Sequence, residues 1–419
     1  MGRVVITGIG VISPAGKNKI EFWKNSQSGI SQTNYDNDMD KINISSKVNS
    51  KIETDLNELI EQNKEIVNES RFSKLCVYAA EQAIKDSKID FNDIESDEIG
   101  IITCSAIGGT PTIQEIYEDI TDKGKKEVSY KKTGERFYNA GMFNFPGAYI
   151  AKKYGLRNVC YALSTGCTAG LDVIGEGFNL IKEGVAKVLL IGGSEAPLTS
   201  LTYATLDVIN ALSKWTGDPK KASRPFDFKR QGFVIGESSV FFTLEDLDHA
   251  LQREAHIYCE IDSFASYNNA YHMTDLKESK YLEKAISMAI KRAGKKINEF
   301  GYINAHGSST KQNDKCETEA IKSSFGKYAK KIPISSSKSM VGHPLAVAGL
   351  VGVLACAGVF HTGFLPPNIN YEYKDSECDL YYLKKKKRMD VNTVLTSASG
   401  FGGIHSATVL SRYEEKNNE

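Results

Sequence analysis

A chain of 419 residues is long enough to bury two domains or one large duplicated core, and so to hold a deep active site. Its 52 basic and 52 acidic residues cancel, which excludes a global electrostatic preference for nucleic acid or a membrane surface. Eight cysteines without a CxxC pair fit reduced thiols in the cytosol better than a disulfide framework or a zinc site.

The first segment, "RVVITGI", reads as a strand with no basic stretch and apolar signal core before it, so a soluble, cytoplasmic protein is expected. "TGIGVISPAG" (Thr7 to Gly16) opens like a dinucleotide fingerprint, but Ser13 takes the third glycine position and a proline follows. A tight turn is the better reading. Residues 31–70 and 119–137 are polar and charged and read as surface insertions or lids. Between them, residues 73–104 give a helix ("SKLCVYAAEQAIKDSKI"), a polar link and a strand ("EIGIITCS").

In "LSTGCTAGLDVIGEGF" (Leu163 to Phe178), Leu171, Ile174, Phe178 and Ile181 fall at helical spacing, predicting a helix over 168–182 that ends near Gly184. Cys167 then lies at the helix N-terminus, where exposed N–H groups and the macrodipole favour a thiolate below the usual cysteine pKa of about 8.5. Gly166 and Gly170 clear side chains from beside the sulfur. A small buried hydrophobe is the competing reading of this cysteine. The hydrolase elbow G-x-S-x-G does not fit, because the order here is Gly166-Cys167-Thr168-Ala169-Gly170.

After the strand "AKVLLIGG", residues 281–306 repeat the helix-then-strand order of 73–104 ("YLEKAISMAIKRAGKKI", then "GYINAH"). An internal duplication follows, with an N-terminal half over 1–250 and a C-terminal half over 251–419 meeting at a shared site. The alternation of strands and helices indicates α/β architecture. His306 closes its strand and is followed by the hydroxyl-rich Ser308 to Thr310. His343 opens a helix with Pro344 in its first turn. Two neutral imidazoles can donate hydrogen bonds to an oxygen on which negative charge develops. No His-x-x-x-His or carboxylate pairing accompanies them, so no metal is expected.

Lys338 sits in an apolar neighbourhood and needs a partner, for which Glu317 is the candidate. "PLAVAGLVGVLACAGVF" (Pro344 to Phe360) is uncharged but short of the roughly 20 residues of a membrane span, so a buried central helix is predicted. "KKKKR" (Lys384 to Arg388) reads as a solvated basic turn, and the tail "RYEEKNNE" should fray. "SGFGGIHS" (Ser399 to Ser406) is a glycine-rich turn whose one aromatic, Phe401, suits a gate or a backbone N–H donor.

Taken together, "VVITGIGVISPAG", the cysteine segment, "RPFDFKRQGFVIGES", "AYHMT", "NAHGSSTKQNDKCETEA", "SKSMVGHPLAVAG" and "SGFGG" resemble the β-ketoacyl synthase family of condensing enzymes over nearly the whole chain. The resemblance implies a thiolase-like duplicated five-layered α-β-α-β-α sandwich. It implies that Cys167 takes an acyl chain from acyl carrier protein. His306 and His343 would promote decarboxylation of malonyl carrier protein and stabilise the enolate. The backbone N–H groups of Cys167 and Phe401 would form the oxyanion hole, with the Phe401 ring as gate. Ser308 and Thr310 would hold the phosphopantetheine arm, and no metal or diffusible cofactor is implied.

"STGCTAGLDVIG" is similar to the ketosynthase alpha subunit of type II polyketide synthases, which implies a heterodimer with a chain-length factor lacking the cysteine. A fatty-acid elongating β-ketoacyl synthase II would instead be a homodimer. A non-decarboxylating acyltransferase on the same fold is a second alternative. A catalytically silent scaffolding subunit would be expected to lack Cys167. The chain departs from the family pattern at Gly352, where a glutamate usually stands, at Ser308 in place of threonine, and at Pro344 and Ala346. Ser399 stands where elongating synthases often carry phenylalanine, and "GIHS" replaces "GTN". These changes point to an altered gate or acyl pocket, and to Glu317 or a partner-subunit residue as the charge that compensates Lys338.

Overall fold

Strands that must be covered on both faces read as unbroken apolar runs rather than alternating ones, as the four residues from Val188 to Ile191 do. In the computed structural model, which describes residues 2–61 and 63–414, they build one ten-stranded sheet from two similar halves. The first half contains β1 (Val4–Ile12), β2 (Ile99–Cys104), β3 (Cys160–Leu163), β4 (Val188–Glu195) and β5 (Ser238–Asp246), in the order β3-β2-β4-β5-β1. The second contains β6 (Cys259–Asn268), β7 (Phe300–Asn304), β8 (Ile334–Ser335), β9 (Thr393–Ser399) and β10 (Ile404–Ser411), in the order β8-β7-β9-β10-β6. Strand for strand this is the same permutation. The senses also repeat, with two parallel pairings followed by two antiparallel ones in each half. The halves join where Val4, Val5 and Ile6 of β1 run antiparallel to Ile261, Glu260 and Cys259 of β6.

Within β4 the buried residues serve two cores in turn. Val188 and Leu190 face an outer core, whereas Leu189 and Ile191 face the centre. Helix α1 (Arg71–Ser87), its start capped by Ser70 accepting from the Ser73 N–H, covers the outer face of the first half. Helices α3 (Lys280–Ala293) and α4 (Lys311–Phe325) cover the outer face of the second. Between the halves lie α2 (Ala169–Lys182) and α5 (Ala348–Thr362), which complete the layers helix, sheet, helix, sheet, helix. The two central helices touch backbone to backbone: a Cβ on Gly349 would meet the Leu171 nitrogen at 2.7 Å, and one on Gly170 would meet the Ala346 carbonyl at 2.7 Å.

The uncharged stretch expected to be interior is therefore the central layer. All residues of α5 from Ala348 to Phe360 are buried, after a 3₁₀ turn at Leu345–Val347. The stretch Leu345–Thr362 is long and apolar enough to cross a membrane, but 89% of it is enclosed by the protein. The turn expected after β1 forms at Ser13 and Gly16, which exchange both backbone hydrogen bonds at 2.9 and 3.1 Å.

Part of the first polar insertion is not a surface lid. Its segment Val48–Ser50 is a buried strand between Asn34–Tyr35 and Ile235–Gly236, and Ile52, Leu56, Ile60 and Ile66 are buried beside it. Charge density hid these apolar anchors, which are spaced too irregularly to show a period. Beyond buried Ile120 and Thr121 the second insertion is mostly exposed, with Tyr130 at 80%. In the "KKKKR" run, Lys387–Arg388 pairs with Phe364–Leu365 and remains exposed. Of the tail expected to fray, residues 415–419 lie outside the described residues, while Arg412 pairs with Asp390 at 2.7 Å.

Candidate active site

Chain reversals at the ends of equivalent strands bring the chemistry together. The turn after β3 carries Cys167, and the turn after β8, its counterpart in the second half, carries Lys338 and His343. His306 leaves the end of β7, and Phe401 sits in the turn between β9 and β10. Ends of strands in α/β sheets are where side chains can converge without breaking the sheet. A 3₁₀ turn at Gly166–Thr168 precedes α2, so Cys167 sits one turn earlier than a plain helix start, and Gly166 takes a φ of +62° to make that turn.

Cys167, His306, His343, Ser308, Thr310 and Phe401 line one cleft, together with Ser399 and the loop from His272 to Leu276. The rings of His306 and His343 lie edge to face, 5.2 Å between centroids at 79°. Phe233 packs on His343 at 4.8 Å. Burial, and next the charge of Lys338, hold both imidazoles well below the usual histidine pKa of 6.5, so both are neutral at neutral pH. A neutral imidazole still carries one N–H, which is what an enolate oxygen requires.

The sulfur behaves differently from the expectation. Burial pushes the Cys167 thiol up to about 11, although the Lys338 charge and the backbone N–H groups of Phe401 and Cys167 pull it back. A helix start lowers a thiol pKa where the sulfur stays hydrated, and this one is buried. The resting group is a thiol that must lose its proton as it attacks. Those same two N–H groups lie close enough to the sulfur to act on it, and backbone donors there are what an oxyanion on a carbon bonded to the sulfur would require. The Phe401 ring is 38% exposed at the cleft mouth, and its loop is tied down by Gly402 N–H donating to the Met273 carbonyl at 2.7 Å.

Lys338 and Glu317 stand behind the cleft. The Lys338 ammonium donates to the His306 carbonyl at 2.6 Å and lies 3.4 Å from its Nδ1. Burial lowers the lysine pKa, and the negative charge of Glu317 opposes that shift. The expected direct pairing is absent: no ion pair joins Lys338 to Glu317 among the described residues. Instead Glu317, fully buried, accepts from the His306 N–H at 2.7 Å, the Gly307 N–H at 2.8 Å and the Ser397 hydroxyl at 2.8 Å. Its charge reaches Lys338 only across the peptide it holds. The usual glutamate has no room at Gly352, where a Cβ would lie 2.5 Å from Thr396 Oγ1 and 3.1 Å from Asn304 Oδ1.

Glu317→Gln sets an amide N–H₂ against backbone donors. It should cost about 1–3 kcal/mol of stability and reduce turnover by about tenfold or more. Thermal melts and turnover that both match the unsubstituted protein would contradict this anchoring role.

Two further carboxylates were not singled out from the sequence. Asp172 in α2 accepts from the hydroxyls of Thr165, Thr168 (2.8 Å) and Ser406 (2.5 Å), tying the cysteine turn to β10. Asp314 accepts from Ser309 N–H at 3.2 Å and Phe226 N–H at 2.7 Å and pairs with buried Arg230 at 3.4 Å. It thereby holds Ser309 at a φ of +70°, a strained value for a residue with a side chain. The only sequence signal for Asp172 was its place five residues after the cysteine, with threonines at 165 and 168.

Comparison with known proteins supplies an independent line. Residues 1–250 match the pattern of "Beta-ketoacyl synthase, N-terminal domain", and residues 258–372 that of "Beta-ketoacyl synthase, C-terminal domain". The tetracenomycin polyketide synthase ketoacyl synthase alpha subunit of Streptomyces glaucescens is 39% identical over 417 residues, covering 99% of this chain and 98% of that one. The solved AntDE:AntF complex is described as a type II PKS acyl-carrier protein with its ketosynthase bound to the hexaketide. One of its chains superposes with a TM-score of 0.92 at 35% identity, covering 99% of this chain and 100% of that chain. A chain of the ishigamide ketosynthase/chain length factor gives a TM-score of 0.86 at 26% identity over 99% and 100% of the two chains.

Proposed function

The chain belongs to the β-ketoacyl synthase family, and from that membership we propose that it is the condensing ketosynthase of a type II polyketide synthase. The observation that carries the mechanism is the cleft in which Cys167 faces two neutral histidines and two backbone N–H groups. The Cys167 sulfur attacks the thioester of an acyl chain on acyl carrier protein, and the phosphopantetheine sulfur leaves with a proton. Malonyl carrier protein then enters with its arm beside Ser308 and Thr310, whose hydroxyls lie 2.9 Å apart. The bond to its carboxyl carbon breaks, carbon dioxide departs, and the electron pair becomes an enolate whose oxygen accepts from His306 and His343. The enolate carbon attacks the Cys167 thioester. The oxyanion so formed is held by the N–H groups of Cys167 and Phe401 until the C–S bond breaks, and the leaving thiolate takes one proton from water to restore the thiol.

These steps need no metal and no diffusible cofactor; the substrates arrive on the phosphopantetheine arm. The partners are acyl carrier protein and, on the likeness to the ketosynthase alpha subunit, a homologous chain-length factor in a heterodimer. A cytoplasmic location follows from where such carrier-bound chemistry runs. Co-expression with a homologous subunit that lacks the cysteine, followed by mass spectrometry of Cys167 and the carrier protein, tests the reading. Poly-β-keto masses that depend on that subunit are expected. A stable homodimer that extends plain fatty acyl chains on its own would instead establish the fatty-acid synthase alternative.

A further inference from the structure

Behind the cleft stands a buried histidine, His405, that the mechanism above does not use. Ser399 closes β9, and His405 lies directly opposite it in the register of β10, so the two side chains share one face of the sheet. Ser399 lines the cleft, whereas His405 is 2% exposed behind it. The Ser399 hydroxyl oxygen is 2.9 Å from His405 Nδ1, and His405 Nε2 is buried with no hydrogen-bond partner. This orphan atom decides the tautomer. A proton on Nε2 would be a buried, unsatisfied donor, which is rarer than an under-used acceptor. Assigning the proton to Nδ1 makes the imidazole donate to Ser399 Oγ and leaves the Ser399 O–H free to donate into the cleft.

Ser399 shares the lining of this cleft with His306, Ser308 and Thr310, beside which the extender arm lies on the reading given above, on which this inference rests. The malonyl unit brings a carboxylate that must be held until it leaves. Lys338, behind the cleft, is already engaged by the His306 carbonyl. We infer that Ser399 is a specificity-determining residue that donates a hydrogen bond to the free carboxylate of the malonyl extender, with His405 as the positioning residue that turns the hydroxyl toward it.

The carboxylate loses its charge as carbon dioxide forms, so this bond is stronger in the ground state than in the transition state and acts on binding rather than on turnover. The test uses the full chain with its partner subunit, a fixed acyl carrier protein primer and varied malonyl carrier protein. Ser399→Ala should raise the KM for malonyl carrier protein by about tenfold, with kcat not reduced and the rate of Cys167 acylation unchanged. His405→Leu should do the same. His405→Asn, which can place an amide N–H near the position of Nδ1, should restore most of the loss. An unchanged KM in Ser399→Ala, a fall in kcat at constant KM, or an equal fall in primer loading would overturn the inference. Failure of the underlying reading looks different: the unsubstituted protein would then release no carbon dioxide from malonyl carrier protein at all.

Discussion

Cys167→Ala is expected to reduce condensation by about 10⁴-fold or more and to abolish the acyl mass increment on the protein, because Cys167 is the one thiol among the residues lining the cleft. The substitution removes one sulfur from a buried site and introduces no polar group. The loss of stability should therefore stay near 1 kcal/mol, and the melting profile should remain cooperative. Activity loss and stability loss are thus separated by design. Residual chain elongation within a factor of ten of the unsubstituted protein would assign the chemistry to another residue. The other seven cysteines are also free thiols, but none of them lines the cleft.

His343→Ala should reduce carbon dioxide release and condensation by about 10²–10³-fold, the cost of one donor to a developing oxyanion, while acylation of Cys167 falls much less. The same change in His306 should have a similar effect, and the double variant should fall short of the product of the two, because both act on one oxygen. The neutral state of the rings adds a pH signature. Their pKa values lie well below 6.5, so carbon dioxide release should not decline as pH drops through 6.5, where an ordinary histidine would charge. Rapid-quench measurement of acylation beside labelled carbon dioxide release, across pH 5.5 to 8, distinguishes these steps. Equal loss in both half-reactions would make His343 a structural residue instead.

The fold was legible where burial leaves a period or a run. The strands that begin at Val4, Ile99 and Val188 and the helix beginning near Cys167 are apolar runs or helical stripes, and each forms close to its expected place. The duplication was visible as a repeated helix-then-strand order and in Cys167 and His343 each opening a helix at corresponding places; its strand permutation depends on pairings between segments far apart in the chain, which no local pattern records. At the site, Cys167, His306, His343, Ser308 and Thr310 could be picked because each is a reactive or hydroxyl group at an element boundary, and Phe401 because it is the one aromatic of a glycine-rich turn; the structure gathers them in one cleft.

Two expectations fared worse for physical reasons. Sequence position places Cys167 at a helix start but does not report its depth, and burial outweighs the helix field. The cost of burying an unpaired ammonium points to Glu317, whose charge does support Lys338, but sequence position does not show that it acts across the peptide it holds rather than by direct contact. The roles of Asp172 and His405 needed the β9–β10 hairpin to be seen folded against the cysteine turn.

The central claim is that this cleft couples decarboxylation to carbon–carbon bond formation on Cys167. Its most direct test is carboxyl-labelled malonyl carrier protein incubated with the acyl-loaded enzyme and its partner subunit. The account predicts one labelled carbon dioxide released for each two-carbon increment gained by the chain on the carrier protein. Acyl transfer to the carrier protein with the label retained would contradict it and identify a non-decarboxylating acyltransferase.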